Sequence, residues 1–249
     1  MIVFNLFQKL ILFPAYYFFH HNIFFGFFHK YFIRFFFYKK IKIELNVKDI
    51  PLSHYSSFLF KTYEYNDRKL IENNLNSNNK CVIIGGGLGF IPALSYLKTN
   101  NKILVFEINK KIIKNLQKNL LINKCKYDFY NFNLKLEKPK SKYETFYLDK
   151  NFLITSMYIK TKKMVKVSNI HYTKSKQFNN YNTLIIDGEG IEQYFIENIK
   201  KLKKIKYLFF ELHHNIFNKN QINAMFNILK QFKFKRIDKC FNSFYYKRN

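Results

Sequence analysis

The chain is poor in the residues that build disulfide scaffolds and metal clusters. Its 249 residues include 3 cysteines, 4 prolines, 7 glycines and no tryptophan. Cys81, Cys125 and Cys240 stand far apart, without a Cys-x-x-Cys pair or a histidine at metal-ligand spacing. This excludes a disulfide framework and gives no sign of a metal cluster. We therefore expect free thiols, a reducing cytoplasmic environment and no bound metal.

Acidic residues are also scarce, with 16 Asp and Glu against 43 Lys and Arg, for a formal net charge of +27. Such an excess favours a polyanionic partner when the basic residues are clustered. Here the lysines are spread along the whole chain. The preferred interpretation is a lysine-coated surface, and a nucleic-acid or lipid footprint stays open as the alternative.

The N-terminal region lacks charge but also lacks an uninterrupted apolar run. Residues 10–28 (LILFPAYYFFHHNIFFGFF) contain no Lys, Arg, Asp or Glu, which approaches the length of a membrane span. Pro14, the polar residues 20–22 and Gly26 interrupt the run. No small-residue cleavage site follows it, so we expect no removed signal peptide.

Basic and aromatic residues alternate directly after this run, over residues 30–42. This pattern favours an interfacial anchor on the inner face of a membrane. A true span, which would leave the remainder in the cytoplasm, and helices packed on the protein itself stay open. We assign residues 1–42 to an apolar and basic N-terminal segment with this membrane-surface role, and residues 43–249 to one catalytic domain.

From residue 80 onward, short apolar runs alternate with amphipathic, Lys-rich segments, which is typical of βα units in a parallel sheet. Asn218 is a candidate N-cap for the last predicted helix. The pattern predicts strands at residues 81–85, 102–107, 183–187 and 206–212, helices beginning at 90 and covering 110–122, 191–202 and 219–232, and a closing hairpin at 234–237 and 243–246. The predicted fold is therefore α/β, a Rossmann-like doubly wound, mostly parallel sheet with a C-terminal antiparallel hairpin, preceded by an aromatic-rich N-terminal helical extension. Residues 128–182 are poorly patterned, and we expect irregular strands or a substrate-side insertion there.

A glycine cluster follows the first predicted strand of the sheet. Its members are Gly85, Gly86, Gly87 and Gly89. Glycines at this position allow a tight turn on which a ligand can approach the backbone. Glu107 ends the next strand about 20 residues later, where a carboxylate accepts hydrogen bonds from ribose hydroxyls. Together they predict a site for an adenosine-containing cofactor. The structural alternative is a packing turn with a solvated Glu107.

Five blocks of the sequence resemble the FkbM family of class I methyltransferases, over about residues 63–249. They are YEYNDRKLIENNL (63–75), VIIGGGLGF (82–90), VFEINKKIIKNLQKNLLIN (105–123), LIIDGEGIE (184–192) and LFFELHH (208–214). The block IDGEGIE is similar to the family's D-x-E-G-x-E signature. Asp187, Glu189, Gly190 and Glu192 fall on its fixed positions.

The resemblance implies S-adenosylmethionine over the glycine turn and methyl transfer to an oxygen, often of a sugar or a glycolipid precursor. It further implies that the segment with Tyr63 and Glu64 closes over the cofactor. One residue departs from the family, because Ile83 replaces the acidic residue usually found two positions before the first glycine. This puts a contact near the methionine end of the cofactor in doubt.

Methyl transfer to an alcohol requires alignment of donor and acceptor and removal of a proton. Asp187 ends a strand facing the predicted cleft and is assigned as the catalytic or acceptor-orienting residue, and the same position makes it a candidate cofactor contact. Glu211 and His213 end the next strand and border the same cleft, and an imidazole with an ordinary pKa is a candidate base. Structural alternatives are that Glu189 caps the following helix and that His213 is a surface residue at a strand end.

The leading hypothesis is an O-methyltransferase acting on a small-molecule or glycan acceptor near a membrane. An RNA methyltransferase is the second, favoured by charge and aromatic content. It is weakened by the spread of the lysines and by the lack of an Asn-Pro-Pro-Tyr-like tetrad, so nucleic acid is the less favoured partner. A decayed, cofactor-binding or membrane-associated protein is the third hypothesis, motivated by Ile83. A nicotinamide-dependent dehydrogenase is disfavoured because GGGLG lacks G-x-G-x-x-G spacing. Nothing in the pattern specifies an oligomeric state.

Overall fold

The computed structural model describes residues 23–32, 34–45, 50–148, 155–156, 161–175 and 178–249. The helices are α1 (Ile23–Phe32), α2 (Leu52–Leu59), α3 (Tyr65–Asn74), α4 (Phe90–Thr99), α5 (Lys110–Ile122), α6 (Glu192–Glu197) and α7 (Lys219–Gln231). The strands are β1 (Phe35–Tyr38), β2 (Ile41–Glu44), β3 (Cys81–Ile84), β4 (Ile103–Phe106), β5 (Tyr127–Tyr130), β6 (Asn133–Lys135), β7 (Tyr143–Leu148), β8 (Thr155–Ser156), β9 (Lys163–His171), β10 (Thr183–Ile186), β11 (Tyr207–Glu211), β12 (Phe234–Cys240) and β13 (Ser243–Arg248).

Seven strands form the main sheet in the order β12-β13-β11-β10-β3-β4-β5. The five strands from β11 to β5 are parallel, while β12 and β13 form an antiparallel hairpin beside β11. The chain leaves β3 toward β4 and leaves the adjacent β10 toward β11. The loops after β3 and β10 therefore diverge, which opens a crevice at the carboxyl ends of these strands. The predicted fold class is confirmed.

The inner strands are buried on both faces, since every residue of β3, β4 and β10 is buried. Successive side chains of a strand point to opposite faces, and the two faces support separate apolar cores. Ile83, Val105 and Ile185 belong to the core that includes residues of α3, α4 and α5. Ile84 and Ile186 belong to the core that includes residues of α6 and α7. Covering both faces is what makes these runs continuously hydrophobic in sequence.

Several predicted elements agree closely with the structure. The helix predicted at 110–122 is α5, and Asn218 caps α7 through a capping box with Gln221. The helix predicted at 191–202 is shorter, because α6 ends at Glu197 and a 3₁₀ turn at Ile199–Lys201 follows it. The poorly patterned residues 128–182 contribute the sheet edge β5 and a second sheet in the order β6-β9-β7-β8.

The N-terminal region contains a helix and a hairpin. α1 agrees with the expected helical extension, whereas residues 35–44 form the antiparallel pair β1–β2. The physical reason is that Phe36, Ile41 and Ile43 are buried in the core, while Lys39 adopts a left-handed backbone (φ 50°) in the connecting turn. The predicted boundary at residue 42 falls inside β2.

The membrane prediction for residues 10–28 falls largely on positions 10–22, which lie outside the described residues. Within the described part of the chain, no helix combines the length and the apolar character needed to cross a bilayer.

Candidate functional site

The four predicted glycines form the turn between β3 and α4. Gly85, Gly87 and Gly89 have positive φ values of 87°, 52° and 91°, a backbone region that side chains rarely adopt. A Cβ added at Gly85 would lie 1.8 Å from the backbone oxygen of Asp187. The glycine turn therefore touches the loop after β10 directly, which closes one end of the crevice.

Glu107 lies directly after β4 and points toward the glycine turn. Its Oε2 accepts hydrogen bonds from the backbone N–H groups of Gly86 (3.0 Å) and Gly87 (3.1 Å). Its Oε1 accepts one from the N–H of Asn109 (2.7 Å). Burial raises the pKa of Glu107, and these backbone donors oppose the rise. A carboxylate has about four acceptor positions, so at most one remains for a ribose hydroxyl, against the two expected from sequence.

Tyr63 and Glu64 lie beside Gly87 of the glycine turn. A Cβ at Gly87 would lie 3.7 Å from Glu64 Oε1 and 3.9 Å from the Tyr63 hydroxyl. Glu64 adopts a left-handed backbone (φ 47°) at the start of α3, and its Oε2 is buried without a hydrogen-bond partner. Burial, followed by the charge of Asp187, raises the pKa of Glu64 to about 8. This is a carboxyl group that a cation would stabilise in its charged form.

The loop after β10 is folded around Glu192, which is fully buried. Its carboxylate accepts hydrogen bonds from the N–H groups of Gly188 (3.3 Å) and Gly190 (2.9 Å). Glu192 therefore stabilises the turn that follows Asp187. The Asp187 side chain remains 31% exposed. Glu189, for which helix capping was the structural alternative, has a left-handed backbone and a side chain directed at His213.

His213 lies among three carboxylates. Its Nδ1 is 3.2 Å from Glu192 Oε1, and its Nε2 is 3.4 Å from Glu189 Oε2 and 3.8 Å from Asp187 Oδ1. Burial opposes the positive charge, but the carboxylates of Glu192, Asp187 and Glu189 outweigh it and raise the pKa of His213 to about 10. In this state His213 is an imidazolium, which weighs against its assignment as a base at neutral pH.

Glu211 completes the group at the end of β11. Burial, followed by the charges of Asp67 and Asp187, raises the pKa of Glu211 to about 9. Its Oε1 accepts a hydrogen bond from the Asn242 side chain at 2.6 Å. Asp187, Glu211 and His213 are thus brought together by adjacent strands, as their positions in sequence predicted.

Two residues of this group were missed by sequence reasoning. Asp67 on α3 is 8% exposed, and its pKa is raised well above the ordinary value by burial and by Asp187. Asn242 lies in the β12–β13 turn and contacts both Glu211 and Asn66. The only sequence signal for Asp67 is its place in the block that includes Tyr63 and Glu64. Asn242 carried none.

The crevice continues from Gly85 of the glycine turn to a wall built by the second sheet. Its lining joins the loops after β3, β4 and β10 to β6 and β7. The residues are Ile84, Gly85, Phe106, Glu107, Ile108, Phe132, Asn133, Leu134, Phe146, Asp187, Gly188, Glu189 and Ile191. The stretch that sequence reasoning assigned to substrate choice therefore forms one side of the same cleft.

No protein-family model matches the chain, and no curated protein matches it. Among solved structures, it is similar to TYW2 from P. horikoshii in complex with MeSAdo, at 11% identity and a TM-score of 0.48, over 85% of this chain and 68% of that one. It is also similar to precorrin-6y C5,15-methyltransferase from Geobacter metallireducens GS-15, at 10% identity and a TM-score of 0.42, over 72% and 83%.

A third similar structure is an uncharacterized protein from Listeria monocytogenes serotype 4b, at 12% identity and a TM-score of 0.46, over 73% of this chain and 66% of that one. The chain thus spans about two thirds of the length of the Listeria protein. Identities this low do not identify a cofactor or a substrate, so both have to be inferred from the residues of the site itself.

Proposed function

We propose that this protein is an S-adenosylmethionine-dependent methyltransferase that acts on a hydroxyl oxygen, with a sugar or lipid-linked glycan as acceptor. One observation carries the proposal: the glycine turn after β3, Glu107 after β4 and Asp187 after β10 all line one crevice at the carboxyl ends of the sheet. Ligands of open α/β sheets bind at this place. The FkbM resemblance supports the same function.

The residues at the glycine turn fit the shape and charge of the cofactor. A Cβ at Gly87 would make ordinary van der Waals contact with Glu64 Oε1 (3.7 Å) and the Tyr63 hydroxyl (3.9 Å), so these two side chains border the turn on that side. Glu107 offers a remaining acceptor position to a ribose hydroxyl. When bound, the cofactor supplies an electrophilic methyl group on a sulfonium.

Glu64 compensates for the missing acidic residue at Ile83. Ile83 is 1% exposed and packs in the apolar core, so no polar group at that position reaches the crevice. The buried, unpartnered Oε2 of Glu64 lies at the same turn and would accept from the ammonium group of the cofactor's methionine end. This favours an active enzyme over a decayed one.

Asp187 orients the acceptor. It lies between the glycine turn and the Glu211–His213 pair and retains exposed surface toward the crevice. Its raised pKa, caused by burial and opposed by His213, makes it a better proton acceptor than an ordinary aspartate. The imidazolium of His213 opposes this rise and would keep Asp187 in the charged form that can accept a proton.

The exposed face of α1 supports a lipid-linked acceptor. Gly26 packs tightly against the backbone of Leu52 in α2, while the opposite side presents exposed aromatic rings at Phe28, Tyr31 and Phe32. Aromatic rings interleaved with basic residues are typical of helices that lie at the lipid headgroups. Flotation of the full chain with anionic vesicles tests this part of the proposal, and failure to float would remove it.

The proposed function is tested by calorimetric titration of S-adenosylmethionine into the full chain, followed by an acceptor screen over glycans and RNA. We expect micromolar binding by the wild type. Gly87→Asp should lose it, because the new side chain would enter the cofactor's space. Glu137→Gln should keep it, and this exposed residue, whose carboxylate pairs with Lys201, serves as the control. Folded wild-type protein that does not bind the cofactor would refute the proposal. Methyl transfer to RNA and to no glycan would replace the proposed glycan acceptor with RNA.

A further inference from the structure

Asp187, Glu211 and His213 form a set of metal-ligand side chains at the carboxyl ends of β10 and β11. One ligand atom from each residue lies within 4.8 Å of the others. Because adjacent parallel strands carry all three, the sheet itself fixes their spacing.

Neighbouring groups hold these side chains in place. The Asn242 amide donates to Glu211 Oε1 at 2.6 Å. Glu192 Oε1 lies 3.2 Å from His213 Nδ1, while Nε2 faces Glu189 Oε2 at 3.4 Å and Asp187 Oδ1 at 3.8 Å. A carboxylate on one imidazole nitrogen, with the other nitrogen facing a carboxylate, is the arrangement that orients histidine toward a metal ion.

Among the described residues, the carboxyl groups of this cluster outnumber its one imidazole. Asp67 is 8% exposed and faces Asp187 and His213. In the described part of the chain, no Lys, Arg or His nitrogen lies within ion-pair distance of the Asp67 carboxyl group. Buried carboxyl groups of this kind are ordinarily paired or coordinate metals.

We propose that Asp187, Glu211 and His213 bind a divalent cation of the Mn²⁺ type, with Asp67 as an outer carboxylate. Carboxylates favour Mg²⁺, Ca²⁺ and Mn²⁺, while imidazole favours softer metals, so a mixed set of two carboxylates and one imidazole suits Mn²⁺. His213 ligates through a neutral Nε2, and the cation takes the place of the proton there.

The cation would border the crevice beside Asp187, where it would bind the acceptor oxygen and favour its deprotonation. This use of the cation rests on the proposed function, whereas the binding site does not. Cysteine and histidine spacing gave no sign of this site. Its ligands come from the ends of two different strands, and Asp187 and Glu211 are 24 residues apart in sequence.

The test is titration of EDTA-treated full-length protein with MnCl₂, with free Mn²⁺ followed by electron paramagnetic resonance. We expect one Mn²⁺ per chain, unchanged binding in Glu137→Gln, and at least about tenfold weaker binding in Asp187→Asn. Asn242→Ala leaves the three ligand side chains in place but removes the hydrogen bond to Glu211, together with those to Asn66 and the Leu212 carbonyl, and should weaken binding by about 10–100-fold. Thermal melts establish that each variant is folded.

Folded wild-type protein that takes up no Mn²⁺, or an Asp187→Asn variant that binds it equally well, would overturn the cation site. A parallel titration with S-adenosylmethionine separates this from the proposed function. Cofactor binding without Mn²⁺ binding refutes the cation site alone. Mn²⁺ binding without cofactor binding leaves the site standing and refutes the methyltransferase.

Discussion

Replacing Glu107 with glutamine tests the glycine turn most directly, because the two side chains have the same shape. The carboxylate accepts three backbone N–H groups, two on Oε2 and one on Oε1. The favoured glutamine orientation places its oxygen at the Oε2 position, toward Gly86 and Gly87. Its NH₂ group then faces the N–H of Asn109, which loses its acceptor.

A buried donor without a partner costs about 1–3 kcal/mol, and this is the expected loss in the free energy of unfolding, measured by urea denaturation. The free acceptor position for ribose becomes a donor as well. Loss of one hydrogen bond to a charged group, about 1.5–3 kcal/mol, corresponds to about 10–150-fold weaker S-adenosylmethionine binding by calorimetry. A Glu107→Gln variant that is folded and binds within twofold of wild type would refute the ribose contact.

Three further substitutions test other parts of the molecule. Gly85→Ala should destabilise the fold by at least about 3 kcal/mol, because its Cβ would lie 1.8 Å from a backbone oxygen; a urea midpoint near wild type would contradict this. Glu64, with a pKa of about 8, should release a proton at pH 7 when a cationic cofactor binds. The binding enthalpy measured by calorimetry should therefore vary with the ionisation heat of the buffer in the wild type, and vary less in Glu64→Gln. Burial works against the charge of Glu44, but Lys118 and Arg34 outweigh it and lower its pKa. The stability from this group is therefore full above the ordinary glutamate pKa and lost as pH falls through the lowered value, and Glu44→Gln should flatten the acid limb of thermal melts.

The main sheet could be predicted from sequence because its inner strands are buried on both faces. Residues 81–84 and 184–186 are continuous apolar runs, and the amphipathic segment at 110–122 has an unambiguous helical period. The glycine turn and the acidic strand ends follow from the same pattern, since parallel strands place their carboxyl ends at one edge.

Elements that depend on long-range contacts were harder to predict. The first strand of the N-terminal hairpin, β1, consists of aromatic residues whose pattern does not distinguish a strand from a helix. Only the packing of the hairpin on α4 and α5 decides the outcome. The approach of Asp67 to Asp187 depends on how α3 crosses the sheet, which no local pattern encodes. The raised pKa of His213 likewise depends on Glu192, and sequence reasoning started from an ordinary imidazole.

Asn119 connects the N-terminal hairpin to the glycine turn after β3. It is fully buried in α5, donates to the carbonyl of Leu88 beside the glycine turn (2.8 Å), and accepts from the N–H of Glu44 in β2 (2.7 Å). Since β2 pairs with β1, a chain cut at residue 43 would lose the partner strand of the segment that Asn119 holds. The cut also passes through β2 (Ile41–Glu44), and the part that remains would no longer have a defined position against α5, so the glycine turn would lose one of its supports. The N-terminal hairpin thus supports the glycine turn through Asn119, so S-adenosylmethionine affinity is properly measured on the full chain, with and without anionic vesicles.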